Sequence, residues 1–221
     1  MSPLHDPLFF RSKVRRGRRC QAKDDIIERI IKSLVISDPT NYTAALMPCT
    51  EGPELERLER RGTRPCNMYG IENDPEILKA MKRCLDIRLP PYPMDAHNAV
   101  DWIEAETPSG LDFIYGDFFS RPDFNHLLFL EKLFAFGMPR RGAKLVLTYG
   151  RTRCHTHTRL LNDMFLAKQP KRVVPTIAFV DLMLEKTGHR WYRGTPKEHV
   201  YKSQREDGTG MVLYVTTEFD F

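Results

Sequence analysis

The chain has 221 residues, 41% of them hydrophobic, and no apolar run long enough to cross a bilayer, which argues against a helical membrane protein and leaves room for one domain with a sizeable core. Its five cysteines, Cys20, Cys49, Cys66, Cys84 and Cys154, are odd in number and never fall as CxxC, so neither a disulfide framework nor a zinc knuckle is suggested. The net charge of +5 is local: RSKVRRGRR, residues 11–19, holds six basic residues and no acid, and the remainder carries 28 basic against 29 acidic side chains.

A basic block of this kind binds polyanions through phosphate contacts that weaken with salt and carry no sequence information. Arg11, Lys13, Arg15, Arg16, Arg18 and Arg19 are therefore candidate nucleic-acid contacts, although a solvated tail or a localisation signal has the same composition. Residues 1–22 read as a basic arm and residues 23–221 as a single domain. The short apolar patch before the basic residues reverses the order of a secretory signal, which predicts an intracellular, cytoplasmic protein with no membrane partner.

In chain order, KDDIIERIIKSLV (23–35) places Ile26, Ile27, Ile30, Ile31 and Leu34 at helical spacing, with acids in the first turn. YTAALMP (42–48) reads as a buried strand, and a helix follows from Pro53 to Gly62. CNMYGIENDPEIL supplies a strand from Met68 to Glu72 and then a helix. PPYPMDAHNAVDWIEAE reads as an extended third strand ending near Asp95 and a helix around Trp102. LDFIYGDFF is another strand, NHLLFLEKLFAFG another helix, and AKLVLTYG (143–150) the clearest strand. Two more helices, THTRLLNDMFLA and TIAFVDLMLEKTG, precede EHVYKSQ and MVLYVTTEF, which flank the turn-rich REDGTG as an antiparallel hairpin. Alternating strands and helices predict a mostly parallel sheet covered on both faces, with ligands at the carboxyl ends of its strands.

ALMPCTEGPEL, YGIENDPEIL, MDAHNA, LDFIYGDFF and AKLVLTYG occur in the order and spacing of the class I S-adenosylmethionine-dependent methyltransferases, which the chain resembles over residues 42 to 219. The resemblance implies an α/β, Rossmann-like fold with a mostly parallel seven-stranded sheet and a C-terminal antiparallel hairpin. It also implies S-adenosylmethionine as cofactor. By resemblance, Glu72 with Asn73 would accept the ribose hydroxyls, and Asp95 with Ala96 would face the adenine. The loop Pro48, Thr50, Glu51 and Gly52 would approach the methionine part, and here it departs from the family in holding one glycine and no acid at the first position.

Bottom-up readings stand beside these. Glu72 follows Gly52 by 20 residues, the interval of a ribose-binding acid, with the polar end of a buried strand that caps the next helix as the alternative, although Asn73 and Asp74 are better placed to cap it. Asp95 is also a candidate N-cap. Asp117, Phe118 and Phe119, after the fourth strand, are candidate catalytic residues: the acid to polarise an amine and an aromatic to stack on an extruded base, or else core and turn residues. Arg151 and Arg153, past the clearest strand, supply positive charge near that mouth. Cys154, His155 and His157 would point apart on a helix, so no metal site is expected. GHRWYRGTPK, with Trp191 and Tyr192 among basic residues, suits nucleic acid or a packing corner. The expected function is methyl transfer to nucleic acid, with an inactive, nucleic-acid-binding or protein-binding module of the same fold as the alternative. A nicotinamide oxidoreductase would need GxGxxG and leaves the hairpin unexplained.

Overall fold

The computed structural model describes residues 20–48, 52–118, 124–151, 175–204 and 211–221. Its elements run α1 (Gln21–Ser33), β1 (Ala44–Leu46), α2 (Pro53–Glu59), β2 (Met68–Gly70), α3 (Pro75–Cys84), α4 (Ala96–Glu106), β3 (Leu111–Asp117), α5 (Phe124–Ala135), β4 (Pro139–Arg151), α6 (Pro175–Thr187), β5 (Arg193–Gln204) and β6 (Met211–Asp220). They build one six-stranded sheet in the order β2-β1-β3-β4-β6-β5. β2, β1, β3 and β4 are parallel, and β6 is antiparallel to both β4 and β5.

Among the described residues the sheet has six strands where seven are expected, and the third of the expected strands does not form. Only Arg88 remains of it, bridging Tyr69 in parallel, with Gly70 donating to the Arg88 carbonyl and Arg88 to that of Met68, each at 2.9 Å. Pro90, Pro91 and Pro93 follow at once. Proline has no N–H to donate, so the ladder stops there. The guanidinium of Arg88 closes the edge instead, lying 5.5 Å from the Tyr69 ring centre and pairing with Glu106 at 2.6 Å.

Side chains alternate across the strands and divide the core in two. Ile114, Leu145, Leu147 and Phe219 pack under α4, α5 and α6. Phe113, Tyr115, Leu46 and Val146 pack under the isoleucine stripe of α1 and under Leu55 and Leu58 of α2. The second face turns polar toward the hairpin: Thr148 and Thr216 share a 2.8 Å hydrogen bond, and Lys144 bridges Glu218 at 2.9 Å and Asp220 at 2.7 Å. His199 Nε2 contacts the other Glu218 oxygen at 2.6 Å. Burial raises the Glu218 carboxyl, but the bonds from His199 and Lys144, together with their charges, outweigh it and hold the group below its ordinary value.

Two outcomes test this architecture. Leu46→Ala, at a fully buried position of the central strand, is expected to cost about 2 to 5 kcal/mol in urea unfolding. Because the Glu218 carboxyl is depressed on folding, its contribution is complete above the unfolded-state value and is lost as pH falls through the lower folded value. The unfolding midpoint of wild type should therefore drop more steeply below about pH 4.3 than that of Glu218→Gln.

Candidate functional site

β1 is paired by β2 on one edge and by β3 on the other, so the segments leaving their carboxyl ends diverge and open a crevice there. Glu72 lies two residues past β2. Its Oε1 accepts the backbone N–H of Asn73 at 2.8 Å and of Asp74 at 2.7 Å. Asp74 caps α3, its side chain accepting from the N–H groups of Glu76 at 2.8 Å and Ile77 at 3.1 Å. Glu72 is thus free of helix capping and holds its own turn with one oxygen; Oε2 accepts no hydrogen bond among the described residues. Burial raises its carboxyl, the two N–H groups lower it, the Asp74 charge raises it again, and the net direction is upward.

The Glu72 carbonyl accepts from Met94 at 3.0 Å, which brings the proline-rich segment alongside. Asp95 occupies the N-cap position of α4, and its carbonyl takes the N–H groups of Asn98 and Ala99, yet its side chain caps nothing. Asp95 Oδ1 instead accepts from Asn73 Nδ2 at 3.3 Å. A pocket of about 660 Å³ opens beside this pair, lined by Asn73, Tyr92, Met94, Asp95 and Trp102 among others. Ala96, the first residue of α4, packs against the core under it.

At the first loop, Met47 donates to the Tyr115 carbonyl at 3.1 Å and Pro48 is buried. Thr50 and Glu51 lie outside the described residues. Gly52 opens α2 with φ of 51°, in the left-handed region; a Cβ there would stand 2.9 Å from Leu55 Cδ1 and 3.3 Å from Leu85 Cδ2. The left-handed backbone favours glycine there, and an added Cβ would displace the flexible ends of the two leucines.

At the end of β3, Phe118 takes the core alternative. Phe118 is 7% exposed, stacked on Tyr149 with ring centres 5.1 Å apart and packed against His126 and Phe129. It therefore offers no free face to an extruded base, because the alternation of the strand turns it into the core. Phe119 lies outside the described residues. Asp117 points to the opposite face, its side chain 6% exposed, and forms an ion pair with Lys23 of α1. Glu54, 5% exposed in the first turn of α2, belongs to the same group: the charges of Lys23 and Asp117 both act on its carboxyl, which burial raises. Sequence reading missed Lys23 and Glu54. The signal was present, since Lys23 falls on the stripe of Ile26, Ile27 and Ile30, and Glu54 on that of Leu58.

Arg151 is the last residue of β4, in register with Leu213 of β6. Arg11, Lys13, Arg15, Arg16, Arg18, Arg19, Arg153, Cys154, His155 and His157 lie outside the described residues. Among the described residues, no three His, Cys, Asp or Glu side chains are grouped to hold a metal, and no helix is long and apolar enough to cross a membrane. Tyr192 is bound into the packing, donating to Asp181 at 2.7 Å, while Trp191 is 53% exposed.

A depleted but recognisable order of strands now stands: the Arg88 bridge, β2, β1, β3, β4, then the hairpin with its last strand inserted antiparallel. The fold is that of the class I S-adenosylmethionine-dependent methyltransferases. An S-adenosylmethionine-dependent methyltransferase from Archaeoglobus fulgidus superposes with a TM-score of 0.55 at 14% identity, over 98% of this chain and 100% of that one. The plantazolicin methyltransferase gives 0.54 at 11% identity, over 95% and 90%. A methyltransferase from Anabaena variabilis gives 0.52 at 13%, over 93% and 86%. No protein-family model matches the sequence, and no curated protein sequence matches it. At these identities the likeness concerns the methyltransferase fold alone.

Division of labour in the Glu72 turn is directly measurable. Asp74→Ala should lower stability by about 0.5 to 2 kcal/mol through loss of the α3 cap. Chemical denaturation reports that loss.

Proposed function

We propose that this chain is an S-adenosylmethionine-dependent methyltransferase acting on nucleic acid. The observation that carries the reading is Glu72, which stands at the end of β2 with one carboxylate oxygen holding its turn and the other unpartnered among the described residues. The residues present fit the cofactor. A carboxylate with a spare acceptor suits a pair of ribose hydroxyls, and the adjoining pocket of about 660 Å³ has the size of an ordinary small-molecule site, with Tyr92, Met94 and Trp102 as apolar walls. Asn73 and Asp95, already hydrogen-bonded to each other, present amide and carboxylate groups for an adenine edge. Pro48 and Gly52 bound the loop that would meet the amino-acid part.

When bound, the cofactor supplies a methyl group on a sulfonium, which transfers by direct displacement. The chain's own share is positioning, exclusion of water and orientation of the acceptor. α1 and the Phe118 cluster pack on the two faces of the sheet. Asp117 supplies an acceptor for an N–H of the substrate at the end of β3. The nucleic-acid part of the reading is supported by the six basic residues of 11–19 and, in sequence, by Arg151 and Arg153, charges that suit a phosphate backbone.

Calorimetric titration of S-adenosylmethionine into the full chain is expected to show binding. Glu72→Gln should weaken it about tenfold or more, because the amide keeps an acceptor for the turn and turns the other position from acceptor to donor. Absence of heat from the wild type would overturn the reading. Because burial raises the Glu72 carboxyl, affinity should fall on acidification at a higher pH than an ordinary glutamate would give. For the polymer, deleting residues 1–20 should reduce the salt slope of oligonucleotide binding by about 0.7 to 0.9 for each phosphate that the arm neutralises. An unchanged slope would show that the arm takes no part.

A further inference from the structure

Two acids at the carboxyl end of the sheet hold more acceptors than the described structure satisfies. Asp117 ends β3 and Glu54 follows β1 in the first turn of α2, and both are nearly inaccessible, at 6% and 5% exposure. Lys23, 14% exposed on α1, donates to Asp117 Oδ2, and its charge also acts on Glu54. The remaining oxygens, Asp117 Oδ1 and Glu54 Oε2, are buried and have no hydrogen-bond partner among the described residues. One ammonium is therefore paired with Asp117 while its charge also reaches Glu54.

Buried acceptors are ordinarily satisfied, and a buried ion pair persists in place of apolar packing only when its geometry is well supplied with hydrogen bonds. Two orphan oxygens on different elements call for a donor with at least two N–H groups. An amino group is that donor, whether as an alkylammonium or as the exocyclic amine of a base. We propose that Glu54 and Asp117 form one amino-group site at the acceptor position, that Lys23 is its resident occupant in this structure, and that an incoming amino group enters by displacing Lys23. Calling this the acceptor position rests on the methyltransferase reading above; the amino-group site itself does not. Entry then requires the first turn of α1 to move, and α1 begins two residues after the basic block that ends at Arg19. A polyanion held by that block is covalently tied to the turn that carries the occupant.

The test begins with Lys23→Ala, which leaves a space of side-chain size against both acids. Its thermal midpoint should fall, and ethylammonium chloride should restore about half or more of the loss by mass action. Tetramethylammonium chloride at equal concentration, which carries no N–H, should restore none of it. Adding Glu54→Gln should remove the restoration. Equal effects of the two salts would overturn the proposal.

Should Lys23→Ala fail to fold, the wild-type chain provides a second readout: acylation of Lys23 by N-hydroxysuccinimidyl acetate, followed by mass spectrometry. An adenine- and cytosine-containing single strand is expected to raise the rate at Lys23 about tenfold by shifting the occupant out, with an abasic strand of equal length giving no rise. A rise with ethylammonium alone supports the site and assigns it an alkylamine. No rise with either probe overturns it. S-adenosylmethionine binding, measured separately by calorimetry, distinguishes failure of this proposal from failure of the cofactor reading.

Discussion

β1 contributes only Ala44, Ala45 and Leu46, yet both of its edges are hydrogen-bonded, to Met68–Gly70 on one side and to Phe113–Tyr115 on the other. A strand paired in parallel on both sides fixes where its neighbours end, and the connecting segments must leave in opposite directions. That constraint brings Glu72 and Asp117 to the carboxyl ends of the strands on either side of β1. Small side chains at Ala44 and Ala45, fully buried, let the two layers approach the strand closely. Everything proposed about the site depends on these three residues being held from both edges.

Charge at the carboxyl end is arranged against burial. Glu72 and Glu54 are each raised by desolvation, and the backbone N–H groups of Asn73 and Asp74 only partly offset this at Glu72. At Glu54 the opposing influence is Lys23, from a helix that precedes the sheet in sequence. The hairpin side shows the contrary case: Glu218, bonded to Lys144 and His199, is satisfied at both oxygens and lies below its ordinary value. The contrast separates a charge network that joins strands from acids that retain unused acceptors.

Much of the architecture was legible because it repeats local patterns. The isoleucine stripe of α1, the Pro75 start of α3 and the apolar run of β4 each specify an element without help from distant residues. The third strand was misread because PPYPM has the apolar character of a strand while its prolines lack the donors a ladder needs. Glu72 was legible as an acid at a strand end and Asp74 as a candidate cap for the helix; that one Glu72 oxygen holds the turn between them was not. Phe118 was left open between a stacking face and the core because residues beside a strand end are assigned to a face only when the strand's register and its neighbours Tyr149 and His126 are known.

Sequence by itself determined the alternation of strands and helices, the local concentration of positive charge and the candidate acid after the second strand, since periodicity and composition act over a few neighbouring residues. Tertiary structure decided which acids meet. Lys23, Glu54 and Asp117 are separated by up to 94 positions and come together only where α1 and α2 cover the end of β3. A charged residue on an apolar stripe is an anomaly within its own helix; only the packed sheet supplies the opposite charge that makes it stable there.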